Sequence, residues 1–510
     1  VKQKTISLHS KNLKIKKLLV NNEACSFQEL ENDELQITTI VQPGEKVEIN
    51  ISFDGKITKP MHGIYPSFNK DGTTIISTQF ESHHAREAFP CIDEPEAKAS
   101  YDLTLISRDG NAVIGNMPIK KQEAKDGKLT TEFETTPIMS SYLLAFVIGD
   151  LQKISGKTKN GTVVSVWSSK DHPKNNLQFA LDSAIKSTEF FNNYFDTDYP
   201  LPKCDHVALP DFSSGAMENW GLITYREVCL LVDTKKTTTA TKQFVALVIA
   251  HEISHQWFGN LVTMKWWDDL WLNESFAALM EYLAVDHSYP EWDISLTFAA
   301  HEALGAFRRD SLSGVQPVQS AVNHPDEIST LFDPSIVYAK GARLLLMAYH
   351  IVGEKNFRKG LKSYFAKYAY KNTVGNNLWD ELSSASGIDL KQIMNSWISK
   401  PGFPVLEVKK TKDTDTLVLS QKQYSLDNSA SKALWPIPLF DSEKSGLIMD
   451  ERKAELNQFN ETSLFNKKGS HYIVKYTNPD TKEYIKKRIS SGRIKKTERL
   501  FYLNNKLRML

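Results

Sequence analysis

The hydrophobic period of this chain changes twice along its length, and that limits its fold more than any other feature. From residue 1 to about 152, apolar and polar side chains alternate, as over 35–40, 46–53 and 99–106, with Gly, Asp and Pro between the runs. A period of two places apolar residues on one face of a strand, so this region reads as all-β. Asp109-Gly110 and Asp126-Gly127 are turn dipeptides of the hairpin kind. After about residue 152 the spacing becomes helical. Leu177, Ala180, Leu181, Ala184, Phe191 and Phe195 share one face of a helix over 177–195. A second helix is expected over 242–258, with hydroxyls of Thr237 to Thr241 at its N-cap and Gly259 as its C-cap. A third is expected over 273–287, and helical character continues to about Ser399. Pro401-Gly402-Phe403-Pro404 breaks the pattern, and 405–408 and 416–420 alternate again. The stretch 482–510 is helix-like and basic.

A chain of 510 residues is too long for one core. The expected fold class is therefore a multidomain α+β protein, divided at 1–152, 153–402, 403–478 and 479–510. With a formal net charge of +1, nothing argues for nucleic acid or an acidic membrane surface as partner. The basic run 486–496 reads as the polar face of a helix. The four cysteines, Cys25, Cys91, Cys204 and Cys229, are scattered without a CxxC pair. Reduced thiols and a cytoplasmic setting are expected. No segment approaches the roughly 18 apolar residues of a membrane span, and the apolar runs 244–250 and 142–147 read as core. The start at Val1, without a basic-then-apolar leader, reads as clipped.

His251-Glu252-Ile253-Ser254-His255 carries chemistry. On a helix, positions i and i+4 share a face, so both imidazoles can reach one ion. The segment before it is apolar, which buries the helix there, and buried paired histidines need a partner. Glu274 follows on the next helix after eighteen intervening residues, enough for a loop and a return. Two His and one Glu leave a coordination position open, the catalytic pattern for zinc. Glu252, beside the first His, can take a proton from an attacking water. Asp268 and Asp269 offer acceptors for a free ring nitrogen of a ligand histidine. His83 and His84, being adjacent, do not share a face and read as non-ligands.

The segments HEISHQWFGN (251–260), WWDDLWLNESFA (266–277), SSGAMENWGL (213–222), TQFESHHAREAFPCIDEPEAKA (78–99) and VYAKGA (337–342) together resemble the M1 family of zinc aminopeptidases, the gluzincins of aminopeptidase N-like type. The resemblance implies a saddle-shaped N-terminal β domain at 1–152, a thermolysin-like catalytic domain at 153–402 and a small β-sandwich at 403–478. It also implies that 479–510 is the beginning of a truncated helical domain. One Zn²⁺ would be held by His251, His255 and Glu274. Glu218, within Gly215, Ala216, Met217, Glu218 and Asn219, would bind the free α-ammonium of a peptide. Glu81 would supply a second carboxylate to that amine. Tyr338 would donate to the oxyanion beside the zinc, and Glu252 would be the general base. Small Gly215 and Ala216 would let the substrate backbone approach. The activity implied is removal of N-terminal residues from peptides by metal-activated water. Three other readings stay open: a bifunctional epoxide-opening relative, which typically carries Gly where Ala216 stands; an endopeptidase; and a non-catalytic protein that keeps the fold.

Overall fold

The structure is a computed structural model and describes residues 3–411, 416–427, 432–440, 446–457, 459, 462–492 and 494–508. The chain forms two compact units. One comprises residues 1–193, 197–266 and 368–372; the other comprises 194–196, 267–367 and 373–510.

The first unit opens with strands, as the alternating pattern requires. Gln3–His9, Glu34–Val41 and Phe27–Glu29 form one sheet, and Lys14–Val20, Ile49–Asp54 and Glu23–Ala24 form another. Leu18, Val20, Leu35 and Ile37 are buried together, so the core lies on the apolar faces that the alternation predicts. Asp126-Gly127 is a hairpin turn, with φ of 52° and 72°, joining Ile119–Lys125 to Lys128–Phe133. Asp109-Gly110 is not. Thr104–Arg108 pairs with Lys128–Phe133, while Ala112–Gly115 pairs with Phe146–Gly149 in a different sheet. The turn hands the chain from sheet to sheet, and Val113 from one is buried with Leu129 and Phe133 from the other.

A mixed five-stranded sheet follows in the order Leu151–Lys157, Val163–Ser169, Lys203–Leu209, Leu222–Arg226, Ala216–Met217. Its middle pairings are parallel, and Val164, Val166, Val207, Leu222 and Ile223 are fully buried, as parallel strands demand. Helix α1 (Gln178–Phe195) buries Ala180, Leu181, Ala184, Phe191 and Phe195, the face that the spacing marks. Helix α2 (Thr239–His255) begins at Thr238, whose hydroxyl accepts from the Thr241 N–H at 3.2 Å. It ends at His255, short of the expected 258. Gly259 is therefore not its C-cap; at φ 125° it lies within the following turn, where its N–H donates to the Val262 carbonyl at 2.8 Å. Phe244, expected in the core, is 49% exposed on the first turns of α2.

In the second unit, helix α3 (Trp271–Ser288) packs on the π-helical segment Pro334–Lys340 and on helix α4 (Gly341–Val352). Pro404–Lys410 and Thr416–Gln423 are antiparallel strands, as the renewed alternation predicts, in a sheet ordered Lys453–Asn457, Thr416–Gln423, Pro404–Lys410, Ile473–Tyr476. Phe307, Phe403, Val405 and Ile473 form a core beneath it. Helices Pro479–Ser490 and Lys496–Arg508 follow. No helix among the described residues is long and apolar enough to cross a membrane.

Candidate active site

The HExxH residues occupy the last turns of α2. Glu252, Ile253, Ser254 and His255 are buried, and His251 is partly exposed. The two imidazole centroids are 4.8 Å apart, the neighbouring-turn geometry that the spacing requires. His255 Nδ1 meets the Phe258 carbonyl at 3.0 Å. A carbonyl only accepts, so Nδ1 carries the proton and Nε2 is left to coordinate an ion. The orienting acceptor for His255 is thus a backbone oxygen. Asp269 instead binds its own surroundings together. Its carboxylate accepts from Trp271 Nε1 and Gln319 Nε2, each at 2.8 Å, and from the Gly375 N–H at 3.1 Å.

The Gly215–Asn219 segment lies beside the end of α2. Ala216–Met217 is the outermost strand of the five-stranded sheet, paired through Ala216 with Tyr225 and Met217 with Thr224. Among the described residues its other edge has no neighbour in that sheet. Gly215 is exposed, Ala216 partly so, and Met217, Glu218 and Asn219 are buried. Glu218 is fixed through its backbone: its carbonyl accepts from Gln256 Nε2 at 3.1 Å and from Asn260 Nδ2 at 2.8 Å. Gln256 Nε2 also donates to the Glu252 carbonyl at 3.0 Å. These two amides fasten the Glu218 backbone to the helix that carries Glu252. They stand in the HEISHQWFGN run, where no spacing marks them. Asn219 Nδ2 donates to Thr224 Oγ1 at 3.2 Å, closing the turn. Arg226 Nη2 donates to the carbonyls of Phe212 and Ser213, both at 2.9 Å, and holds the loop entering the strand.

A second feature missed from sequence is the buried Tyr225. Burial first, and the Glu252 carboxylate second, push its phenol well above 10, so it stays protonated. Its hydroxyl shares a 2.9 Å hydrogen bond with His206 Nδ1. Burial lowers His206 to about 4. Glu252 therefore acts on a neutral phenol at Tyr225, not a phenolate.

Glu81, partly buried, follows the strand Thr74–Gln79 through the buried Phe80; the Glu81–Ser82 peptide bond is cis. In the second unit, Glu274 is buried in the first turn of α3. Its neighbour Ser275 donates to the Val337 carbonyl at 2.6 Å, tying that turn to the segment that carries Tyr338. A Cβ on Gly341 would collide with Ser275 Oγ, so only glycine permits this approach. Lys340 is wholly buried and donates to Asp310 Oδ1 at 3.1 Å and to the carbonyls of Lys400 at 3.0 Å and Gly402 at 3.2 Å. Within Tyr338-x-Lys340-Gly341, the lysine anchors and the glycine admits α3, while Tyr338 stays partly exposed.

His251 and His255 of the first unit present two imidazoles on neighbouring turns, and Glu274 of the second unit presents a carboxylate in the first turn of α3. Two imidazoles and a carboxylate are a donor set that suits zinc. The pattern described as the Peptidase family M1 domain matches residues 179–397, and that of the Peptidase M1 N-terminal domain matches 1–143. The chain belongs to peptidase family M1. This M1 chain is 47% identical over 492 residues to an aminopeptidase N of Lactococcus lactis subsp. lactis, covering 93% of this chain and 57% of that protein. It is 44% identical over 396 residues to the tricorn protease-interacting factor F2 of Thermoplasma volcanium (78% and 49%). It is 41% identical over 452 residues to a puromycin-sensitive aminopeptidase of Caenorhabditis elegans (85% and 48%). The M1 chain thus spans about half the length of these curated relatives.

Proposed function

We propose that this chain carries the active site of a zinc-dependent aminopeptidase that hydrolyses the N-terminal peptide bond of peptides. The observation that carries the reading is the imidazole pair of His251 and His255, to which the reading adds Glu274 as third donor, with the backbone of Glu218 tied to the end of the same helix. The names of its Lactococcus and Caenorhabditis relatives support it. One zinc, held by these three side chains, would polarise the scissile carbonyl and make water more acidic. Glu252 takes the proton of the attacking water and returns it to the leaving nitrogen. Glu218 and Glu81 hold the substrate α-ammonium by charge-assisted hydrogen bonds. Capture of that amine leaves room for one residue before the scissile bond, which makes the enzyme an exopeptidase. Tyr338 donates its phenol proton to the oxygen on which negative charge develops. Gly215, Ala216, Met217 and Asn219 shape the rim, and the open edge of the strand offers backbone groups to an extended substrate. Gln79 Oε1, buried without a donor among the described residues, suits the wall of the first side-chain pocket.

On the same reading, 1–152 is a β saddle domain, 153–402 a thermolysin-like domain, 403–478 a β-sandwich and 479–510 part of a helical domain. The partners are peptides with a free N-terminus. All four cysteines are free thiols, which suits a cytoplasmic setting. The test is hydrolysis of aminoacyl-fluorophores with and without a chelator, beside their N-acetylated counterparts. Loss of activity on chelation, recovery with zinc and no cleavage of the acetylated substrates are expected. Equal cleavage of the acetylated substrates overturns the reading.

A further inference from the structure

We propose that His62, His84 and Glu87 form a second binding site for a divalent transition-metal cation, separate from the HExxH group. His62 immediately precedes the strand Gly63–Phe68; His84 precedes the short turn Ala85–Glu87 and Glu87 ends it. One ligand atom from each lies within 4.8 Å of the others. His62 Nδ1 is 2.8 Å from Glu87 Oε2, and His84 Nδ1 is 3.1 Å from Glu87 Oε1. Two donors each about 2.0–2.2 Å from one ion, at a tetrahedral or octahedral angle, stand roughly 3 Å apart. The nitrogen–oxygen edges of such a coordination shell are therefore already in place. The imidazoles stack with centroids 4.2 Å apart, which brings both Nδ1 atoms to the same carboxylate. Two imidazoles and one carboxylate select zinc, cobalt or nickel over calcium or magnesium.

The surroundings hold these donors in position. Gly63 has φ +65°, and a Cβ there would sit 3.0 Å from Glu87 Oε2, so any larger residue would push the carboxylate away. The turn is pinned by buried Arg86, which donates through its backbone N–H and Nε to Asp93 Oδ2 at 3.1 and 3.2 Å. Asp93 Oδ1 is fixed in turn by the Ser141 hydroxyl at 2.7 Å. The side chains of His62, His84 and Glu87 are 38%, 22% and 11% exposed, so an ion can enter from solvent and keep water on its remaining positions. Lys11 Nζ, 3.9 Å from Glu87 Oε1, opposes a cation and tempers the affinity. The adjacency of His83 and His84 plays no part in this group, because the partner of His84 is His62, from a distant segment.

The test counts metal. The intact chain, stripped with a chelator, is titrated with Zn²⁺ against a chromophoric competitor, and bound metal per chain is measured by elemental analysis. Two equivalents are expected, falling to one in His62→Ala with hydrolysis of aminoacyl-fluorophores retained, and to one in His255→Ala with hydrolysis lost. A circular dichroism melt of each variant shows that it is folded. A single equivalent that disappears in His255→Ala and persists in His62→Ala overturns the proposal. A single equivalent with the opposite dependence supports it and removes the catalytic zinc instead.

Discussion

His255 and His471 are equally deep in this protein, at 1% and 0% exposure, yet they are held in different ways. His471 is closed on both sides by other side chains. Its Nε2 meets Asp310 Oδ2 at 2.9 Å, and its Nδ1 accepts from Arg343 Nε at 3.2 Å. Lys340 Nζ stands 2.9 Å from the same Asp310 oxygen, and the Gly402 N–H donates to the other at 2.7 Å. Burial lowers His471 to about 3. Asp310 is also held below its ordinary value: burial alone would raise it, but Lys340 and His471 outweigh burial. The network is complete within the protein. His255 instead gives Nδ1 to a backbone carbonyl, and in the proposed function its Nε2 is a metal ligand. Burying a polar group costs roughly 1–3 kcal/mol or more unless it finds a partner. One region meets that cost with side-chain partners on both ring nitrogens, and the other uses a backbone carbonyl on Nδ1.

Substitutions can break this contrast. The largest effect is expected for His255→Ala, which should lose the HExxH zinc and reduce peptide hydrolysis to background while the fold survives, as read by metal analysis and circular dichroism. Removing the phenol in Tyr338→Phe should lower kcat roughly 10²–10³-fold with little change in KM, the cost of one oxyanion donor. A large rise in KM alone would place Tyr338 in substrate binding. His471→Ala should act on stability and not on metal content, costing about 1–3 kcal/mol because it takes one hydrogen-bond partner from buried Asp310 and one from buried Arg343. Urea unfolding at pH 7 measures it.

The same network sets a pH dependence. The folded values of His471 and Asp310 are both depressed, so the unfolded chain binds more protons in acid, and stability rises with pH. The stabilisation is complete above the ordinary histidine value of about 6.5. It should fall by about 1.4 kcal/mol per pH unit as pH drops from there toward 3, with Asp310 adding to the loss below its ordinary value. His471→Gln should flatten the profile between pH 6.5 and 4, and an unchanged slope would place the acid sensitivity elsewhere. The smallest effect is expected for Gln256→Ala. It removes one of two donors on the Glu218 carbonyl, worth about 1 kcal/mol, and should lower kcat/KM several-fold.

Sequence legibility followed distance along the chain. The HExxH pair was readable because i and i+4 are neighbours on any helix. The buried face of α1 and the strands after Pro404 were readable for the same local reason. The Asp109-Gly110 turn was misread because a turn dipeptide says that the chain reverses, not which strand it will pair with. The expected α2 terminus at Phe258 lies beyond the observed one because a glycine at 259 marks where a helix can be capped without saying whether the helix reaches it. Glu81, Glu218 and Tyr338 came from resemblance, not from pattern. The anchors on Glu218 were invisible, because Gln256 and Asn260 act on a carbonyl 38 and 42 residues away. Lys340 grips carbonyls 60 and 62 residues away. A side chain's grip on a distant backbone leaves no period in the sequence.

The most direct test of the catalytic assignment is Glu252→Ala, assayed for zinc content and for turnover of an aminoacyl-fluorophore on the same sample. The HExxH zinc should remain, because neither imidazole nor Glu274 is touched, and kcat should fall by roughly 10²–10⁴-fold with loss of the general base. Undiminished turnover in a variant that still holds the metal would contradict the account.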